Sequence, residues 1–345
     1  MNDSIEKNPT RRGLGRAAAG LLLAPAATAL TPPALSQPAL ANTAAAAWPE
    51  RPVRMVVPFG AGGAVDTLAR SFGQRFPEFA NGQPLVIENR AGAGGMVAGA
   101  YTAGQQPDGY TLMMADIGAN SIGRLLNRQL SYDPMTAFTP IMHGVNLHAA
   151  LVTNPQVPQQ TLAELIKAAQ ATPETLIYAS AGVGNGSHLF MALLERQARI
   201  RMVHVPYRSG SETALAVMRN ETQFCFPSLS SVLGMVRGGQ LRVMAVGGGP
   251  CPQAPEAPLM RDTIPGFDVA IWYGVAAPAG MNPALADRVN DVFARIAALP
   301  EIRRGVEENQ AGSIVGGGRQ QFADFLKREY DRWGPVIQEG GIRVE

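Results

Sequence analysis

The sequence predicts an α/β protein of two lobes with a ligand cleft between them. Short apolar strands alternate with amphipathic helices, Gly-rich turns join them, and two longer extended segments near 144–152 and 269–276 divide the pattern into two units. A chain of 345 residues is long enough for two domains of ordinary size. We place lobe 1 at residues 42–148 and 272–345, and lobe 2 at residues 149–271.

The first unit starts with an apolar strand over residues 51–59, which a Gly-rich turn joins to a helix. Residues 64–76 have the apolar spacing of that helix, with one face made of Val, Leu, Ala and Phe. Further strands are expected over 85–87 and 110–115, each followed by a helix. Strands separated by helices and joined by short Gly-rich loops indicate a parallel sheet.

The second unit repeats this order with different residues. Thr161 followed by Glu164 predicts a capped helix start. A strand over 176–180 leads into a Gly-rich turn over 182–187 and a helix. Further strands are expected at 202–205, 223–226 and 241–246. Two C-terminal helices, near 283–297 and 319–338, are expected to pack on the first lobe.

The first 41 residues have the pattern of an export signal. Arg11 and Arg12 precede an apolar run over 17–30, and Ala39-Leu40-Ala41 is a small-x-small cleavage pattern. The adjacent arginines and modest hydrophobicity favour the twin-arginine route. The apolar run is shorter than the roughly 20 residues of a membrane-spanning helix. We therefore predict a signal peptide over 1–41 and a mature protein in the periplasm.

Charge and cysteine content narrow the class of protein. Without residues 1–41 the basic and acidic side chains balance, so nothing points to nucleic acid or an anionic membrane as a partner. The 46% hydrophobic and 16% charged content suits a folded globular protein. Cys225 and Cys251 could pair in an oxidising compartment or could be buried apolar residues. We favour the unpaired state.

Two Gly-rich turns between a strand and a helix are the candidate binding elements. Backbone N–H groups at a helix N-terminus favour an anion, and glycines let a ligand approach the main chain closely. In the first turn, Val65 stands where the dinucleotide fingerprint requires glycine, and the Gly-Lys-Ser/Thr of a phosphate loop is absent. A plain strand-to-helix turn remains the alternative for this motif alone.

The second turn carries side chains suited to a second carboxylate. Asn185, Ser187 and the nearby amides follow a strand, and Ser187 is a candidate helix cap. Ligands of open α/β sheets bind at the carboxyl ends of the strands, so we expect the two turns to face each other across the cleft.

Catalysis has little support in the sequence. There is no Gly-x-Ser-x-Gly elbow, and the adjacency of Ser187 and His188 does not supply a nucleophile–base pair. The histidines lack the spacing of metal ligands. We expect no catalytic residue, metal or cofactor. The alternatives are an exported α/β enzyme that acts on a small organic acid with Asp66 or His188 as acid–base, and a partner-binding scaffold without a small ligand.

Several segments occur in the order typical of one family. They are VPFGAGGAVD, VIENRAGAGG, PDGYTLMMAD, YASAGVGNGSHL, HVPYRSGSETALAVM and GGQLRVMAV. From about Pro49 to its end the chain resembles the Bug receptors, the extracytoplasmic substrate-binding proteins of tripartite tricarboxylate transporters. The resemblance implies a periplasmic binding protein fold, type II-like, which closes on a small carboxylate such as a di- or tricarboxylate or an aromatic acid. It implies a monomer that serves membrane transporter subunits or a sensor.

The resemblance also carries ligand contacts onto particular positions, mainly through backbone amides and ordered water. Among them, Asp66 is expected to order its loop rather than to touch an anion. With Ser228, the implied ligand-binding set is Phe59, Ala61, Gly62, Gly63, Asp66, Ile117, Asn120, Val183, Gly184, Asn185, Ser187, His188, Tyr207 and Ser228.

Two departures from the family pattern bear on the ligand. The family often has proline where this chain has Gly60 or Ala61. The segment from Phe224 to Ser228 lacks the acid that commonly follows its second phenylalanine. An amino-acid ligand needs an acceptor for its ammonium group, so the missing acid favours a plain or aromatic acid.

Overall fold

The computed structural model describes residues 47–344. The predicted signal peptide and its cleavage site lie outside these residues. In this part of the chain no helix is both long and apolar enough to cross a membrane.

Eleven strands form in the described chain. In chain order they are β1 (Val53–Val57), β2 (Leu85–Asn89), β3 (Thr111–Ala115), β4 (Phe138–His148), β5 (Ala150–Thr153), β6 (Ile177–Ser180), β7 (Val203–Pro206), β8 (Phe224–Cys225), β9 (Arg242–Val246), β10 (Ala270–Pro278) and β11 (Gly312–Gly316).

Eleven α-helices accompany these strands in residues 47–344. They are α1 (Ala64–Phe79), α2 (Met96–Ala103), α3 (Gly123–Leu126), α4 (Leu162–Ala171), α5 (Gly186–Ala198), α6 (Gly210–Met218), α7 (Leu229–Arg237), α8 (Met260–Thr263), α9 (Pro283–Ala298), α10 (Pro300–Arg304) and α11 (Arg319–Glu339). A 3₁₀ turn covers Ala93–Gly95, and π-helical turns cover Gly118–Ile122 and Gly305–Asn309.

The strands form two sheets. The first has the order β11-β4-β10-β3-β1-β2, and the second has the order β7-β6-β8-β5-β9. β1 runs parallel to β2 and β3, and β6 runs parallel to β7 and β8. The carboxyl ends of three parallel strands therefore meet at one edge of each sheet.

The prediction of a purely parallel sheet is wrong for the remaining strands. β10 is antiparallel to β3 and β4, β11 is antiparallel to β4, and β5 is antiparallel to β8 and β9. β4 and β10 are the strands through which the chain leaves and re-enters the first sheet. Such strands need no helical crossover to a parallel neighbour, so they can pair in the opposite direction.

The chain crosses between the sheets at two close points. β4 ends at His148 and β5 starts at Ala150, so the first crossing has almost no linker. The second crossing lies between β9 and β10, where His148 Nδ1 lies 3.1 Å from the carbonyl oxygen of Gly247. The described chain belongs to one compact unit, and the lobe limits at 148/149 and 271/272 stay a prediction.

Local sequence signals explain most elements. α1 buries the apolar stripe that its spacing predicted, and all five residues of β3 are buried. The capping box of α4 is confirmed, because Thr161 Oγ1 accepts from the N–H of Glu164 while the Glu164 carboxylate accepts from the N–H of Thr161. Cys225 and Cys251 are both free and buried, as expected, and burial raises the pKa of Cys225 to about 12.

Candidate functional site

Two adjoining cavities lie where the carboxyl ends of the two sets of parallel strands come together. The aromatic cavity is lined by Phe59, Asp116, Ile117, Asn185, Gly186, Phe190 and residues 270–273. The serine cavity is lined by Phe59, Gly63, Ala64, Val65, Ala181, Asn185, Ser187, Ser209, Gly210, Pro227, Ser228, Ser231, Ile271 and Tyr273. Four residues line both, so one small ligand can contact both spaces.

The loop between β1 and α1 is ordered by a charged network behind it. Asp66 accepts hydrogen bonds from the N–H of Gly62 (2.9 Å), from Arg70 Nε (2.9 Å) and from Asn89 Nδ2 (2.9 Å). Asn89 Nδ2 also donates to the carbonyl of Phe59 (3.0 Å). Burial alone would raise the pKa of Asp66, but these hydrogen bonds, led by that of Arg70, hold it below its usual value.

The loop between β6 and α5 is ordered by neutral groups instead. Asn185 Oδ1 accepts from the N–H and the hydroxyl of Ser187, both at 2.9 Å. Ser187 Oγ in turn accepts from the N–H of Ala181 (3.0 Å), and His188 Nδ1 accepts from the N–H of Gly184 (3.0 Å). These bonds fix the loop without placing a charge beside the cavities.

Four helix N-termini meet at the serine cavity. α1 contributes its first two residues and the preceding Gly63, α5 contributes Asn185 and Ser187, α6 begins at Gly210, and α7 follows Ser228. Gly63 has no side chain and the side chain of Ser228 makes no capping bond, so α1 and α7 begin without a side-chain cap. N–H groups in a first helical turn have no acceptor within the helix, and the helix dipole favours an anion there.

The charged side chains of the two cavities are few. Within residues 47–344, no lysine, arginine or histidine lines either cavity, and Asp116 is the single acid that does. Asp116 follows β3 directly and is 2% exposed. Its carboxylate accepts from the N–H of Gly118 (3.1 Å) and of Ala119 (3.2 Å). Burial raises the pKa of Asp116 to about 7, against the opposing effect of these two hydrogen bonds.

Aromatic side chains form much of the wall around Asp116. Phe59 comes from the first loop, Phe190 from α5, and Trp272 and Tyr273 from β10. The indole N–H of Trp272 donates to Glu329 Oε2 (3.0 Å), which fixes the orientation of this ring. The cavity therefore combines one buried acid with aromatic surface.

Six of the sequence-predicted positions line these cavities. They are Phe59, Gly63, Ile117, Asn185, Ser187 and Ser228. They come from both sheets, so the structure brings the two Gly-rich loops to one place, as the sequence predicted.

The other predicted positions lie elsewhere. Ala61 and Gly62 are exposed at the first loop, and Asp66 stands behind it. Asn120 is buried with its side-chain oxygen on the N–H of Asp116 (3.1 Å). Tyr207 is half-buried and packs against the core of the second sheet. Val183 meets the turn at Gly94, Gly184 lies against Leu126 of α3, and His188 lines neither cavity.

His188 belongs to a buried aromatic stack on the far side of its loop. Its ring centroid lies 3.9 Å from that of His204, which stacks on Tyr178, and all three residues line a separate cavity. Burial, with a smaller effect of His204, lowers the pKa of His188 to about 3, so the ring is neutral. Neither acid–base candidate of the enzyme alternative, Asp66 or His188, lines the ligand cavities.

Sequence reasoning missed several lining residues, of which Asp116 is the most informative. It stands at the carboxyl end of a predicted strand, so the rule used for the Gly-rich loops also applies to it. Trp272 and Tyr273 offered no such signal, because their direction depends on how β10 pairs with β3 and β4. The other missed positions are Ala64, Val65, Ala181, Gly186, Phe190, Ser209, Gly210, Pro227, Ser231, Ala270 and Ile271.

The fold and the cavities agree with the class of protein that the comparisons give, a solute-binding receptor. A family model described as "Tripartite tricarboxylate transporter family receptor" matches residues 76–342. The chain belongs to this family. The resemblance to Bug receptors is thereby confirmed, since the relatives include Bug proteins.

Two sequence relatives cover most of the chain. A UPF0065 protein from the tcbD-tcbE intergenic region of Pseudomonas sp. strain P51 is 32% identical over 297 residues, which are 85% of this chain and 87% of the relative. Protein BugT of Bordetella pertussis is 27% identical over 308 residues, or 88% and 94% of the two chains.

Solved structures with the same fold include ligand complexes. Rpa4515 of Rhodopseudomonas palustris, solved with adipate, has a TM-score of 0.81 at 28% identity over 86% of this chain and 99% of its own. MatC from the same organism, solved with bound malate, has a TM-score of 0.79 at 26% identity over 84% and 100%. Both similarities extend over both sheets.

Proposed function

We propose that this protein is a periplasmic receptor that binds a small carboxylate at the serine cavity and delivers it to a membrane transporter. One observation carries the proposal: four helix N-termini meet at a cavity with no basic side chain within the described residues. The family and the ligands of its solved members, adipate in Rpa4515 and malate in MatC, support the same ligand class.

The energetics of such a site are sufficient. Micromolar affinity corresponds to about 8 kcal/mol, and a hydrogen bond to a charged group contributes roughly 1.5–3 kcal/mol. Amides at the start of α1 and hydroxyl groups such as those of Ser209 and Ser231 offer several such contacts. A lysine or arginine is not required.

The remaining parts of the proposal follow from the sequence. Residues 1–41 serve as a twin-arginine signal peptide, and the mature chain is a monomer whose partners are transporter subunits or a sensor. The two lobes, 42–148 with 272–345 and 149–271, close on the ligand by small backbone changes at the crossings near His148 and Ala270. Binding without turnover is the expected activity.

The test removes one amide from the site without removing a side chain. Ala64 is the first residue of α1, a position where proline fits a helix and deletes only the N–H. Mature Ala64→Pro protein is expected to bind its best carboxylate roughly 10- to 100-fold more weakly than wild type by calorimetry, the equivalent of one charge-assisted hydrogen bond. The screen covers di- and tricarboxylates and aromatic acids.

The matched control is Ala64→Ser, which changes the side chain but keeps the N–H. It is expected to bind within a few-fold of wild type. The proposal fails if no carboxylate binds or thermally stabilises the wild-type protein. It also fails if Ala64→Pro and Ala64→Ser bind equally well.

A further inference from the structure

We propose that the ligand carries an amino group as well as a carboxylate, and that this group pairs with Asp116 in the aromatic cavity. The receptor then selects amino-carboxylic acids over plain acids of the same length. This inference rests on the proposed function, because it takes the serine cavity as the carboxylate end. It revises the preference for a plain acid that the sequence suggested. That preference rested on the missing acid in the segment from Phe224 to Ser228, and Asp116 beside the first sheet takes the place of that acid.

Asp116 is a buried acid without a cationic partner. It is 2% exposed, and its hydrogen bonds come from two backbone N–H groups of the turn that follows it. Across residues 47–344 no salt bridge includes Asp116. Buried charges in proteins are ordinarily paired, so Asp116, a buried acid that lines the aromatic cavity, is suited to a cation that arrives with the ligand.

The groups facing Asp116 do not supply that cation. Two tyrosines lie close enough for its charge to act on them: Tyr132, which follows α3, and Tyr273 of β10. The pKa of each hydroxyl is raised, first by burial and then by the charge of Asp116, so both remain neutral. Desolvation opposes ionisation of Asp116, and an ammonium group beside it would favour ionisation.

The aromatic wall is a second feature that suits a cationic group. Phe59, Phe190, Trp272 and Tyr273 line the same cavity as Asp116. A cation over an aromatic face is attracted to the ring, and the attraction is stronger where water is excluded. An alkyl chain would also pack well there, but it would leave the carboxylate of Asp116 unpaired.

The two adjoining cavities therefore differ in charge, although the N-terminus of α5 lines both. Helix N-termini with partial positive charge lie at the serine cavity, and Asp116 lies at the aromatic cavity. An amino-carboxylic acid that spans both matches this polarity. A dicarboxylate would place its second carboxylate near Asp116, and two such groups cannot both stay ionised without a cost.

The experiment compares acids that differ only in the amino group. Calorimetry would measure the Kd of β-alanine, 4-aminobutanoate, 5-aminopentanoate and a set of α-amino acids, each against its deamino acid and the dicarboxylate of equal length. Wild-type protein at pH 8 is expected to bind its preferred amino acid at least tenfold more tightly than either counterpart. Asp116→Asn is expected to lose this preference, whereas Asp108→Asn, which changes an exposed acid, is expected to keep it.

The pH dependence of the wild-type protein gives a readout that needs no variant. An ammonium group requires ionised Asp116, so affinity for the amino acid should rise about tenfold between pH 6 and pH 8. The inference is overturned if plain acids bind more tightly than amino acids, or if affinity rises instead as the pH falls. If no amino acid binds but another carboxylate does, and Ala64→Pro weakens that binding, this inference fails while the proposed function stands. If no carboxylate binds at all, the proposed function itself fails.

Discussion

Asp66 and Asp116 are two acids beside the first sheet with equally little exposed surface, and their surroundings differ. Each is 2% exposed, with Asp66 in the first turn of α1, the helix that follows β1, and Asp116 directly after β3. Arg70 and Asn89 surround Asp66 and hold its pKa below the usual value. Asp116 has backbone N–H groups alone, and burial raises its pKa to about 7.

The difference separates a structural acid from one that is available to a ligand. The carboxylate of Asp66 is satisfied by the protein and orders the loop whose amides reach the serine cavity. Asp116 lines the aromatic cavity, and its carboxylate costs free energy when it ionises without a cationic partner. The exposed fraction thus does not distinguish the two roles, whereas the depth of the acid and the groups that donate to it do.

The largest expected effect is the pH dependence that Asp116 gives to stability. Burial raises its pKa to about 7 in the folded protein from the ordinary 3.8 of an aspartate, so between these two values the folded state holds a proton that the unfolded state has lost. The free energy of unfolding should therefore fall as the pH rises from about 4 to about 7, by roughly 4 kcal/mol at most. Asp116→Asn should remove this slope, measured by urea unfolding of ligand-free protein at pH 5 and pH 8.

Asp108→Asn is the control for this measurement, because Asp108 is exposed and its pair with Arg51 contributes little. It should show the wild-type slope. Equal slopes in wild type and Asp116→Asn would contradict the interpretation of Asp116 as an unpaired buried acid.

The second prediction concerns Asp66 and has the opposite sign. Its pKa is lowered in the folded protein, so its contribution is present above about pH 4 and is lost as the pH falls further. Asp66→Asn should lower the free energy of unfolding by about 1–3 kcal/mol at pH 7, since buried hydrogen bonds to a charged group are lost. Urea unfolding at pH 7 and pH 3 should show the difference shrinking at the lower pH.

Arg70→Gln sharpens this result. The Arg70 side chain is 51% exposed, so its removal should cost about 1 kcal/mol or less, while Gly62 and Asn89 still donate to the acid. A cost for Arg70→Gln as large as that for Asp66→Asn would show that the ion pair alone holds the loop.

The sequence predicted one of these two acids and missed the other, for a physical reason. The β1–α1 loop is recognisable because glycines, a helix start and Asp66 follow one another in the chain. The importance of Asp116 depends on the residues that line the cavity with it, namely Phe190 of α5 and Trp272 of the returning strand β10. Such neighbours are fixed by strand pairing and lobe contact, which no local pattern contains.

The directions of several strands were predicted wrongly for the same reason. Strand positions followed from apolar runs, and the starts of most helices were predicted from caps and spacing. The antiparallel direction of β5, β10 and β11 could not be deduced, because it depends on how the chain returns between lobes. Likewise, His188 was assigned to the binding loop by its position, but the helix turns its side chain toward His204.

The smallest expected effect tests which contact keeps water away from Asp116. The turn over residues 92–95 packs against it on one side, where a Cβ at Gly95 would lie 2.8 Å from Asp116 Oδ1. On the other side the turn meets the second Gly-rich loop, where a Cβ at Gly94 would lie 2.6 Å from the carbonyl oxygen of Val183. Gly94→Ala should therefore separate the two loops and let water reach the acid.

Hydration would bring the pKa of Asp116 closer to its usual value, so the pH slope of stability should shrink in Gly94→Ala by about 1 kcal/mol. Gly341→Ala is the matched control, because Gly341 has the same φ of +61° but an added Cβ meets no atom within 4 Å. Both variants carry the strain of a left-handed alanine, about 1–2 kcal/mol, at every pH. If the pH slope of stability falls in Gly94→Ala alone, contact between the two loops keeps water from Asp116. If the slopes of the two variants are equal, the depth of β3 in the sheet keeps water from it.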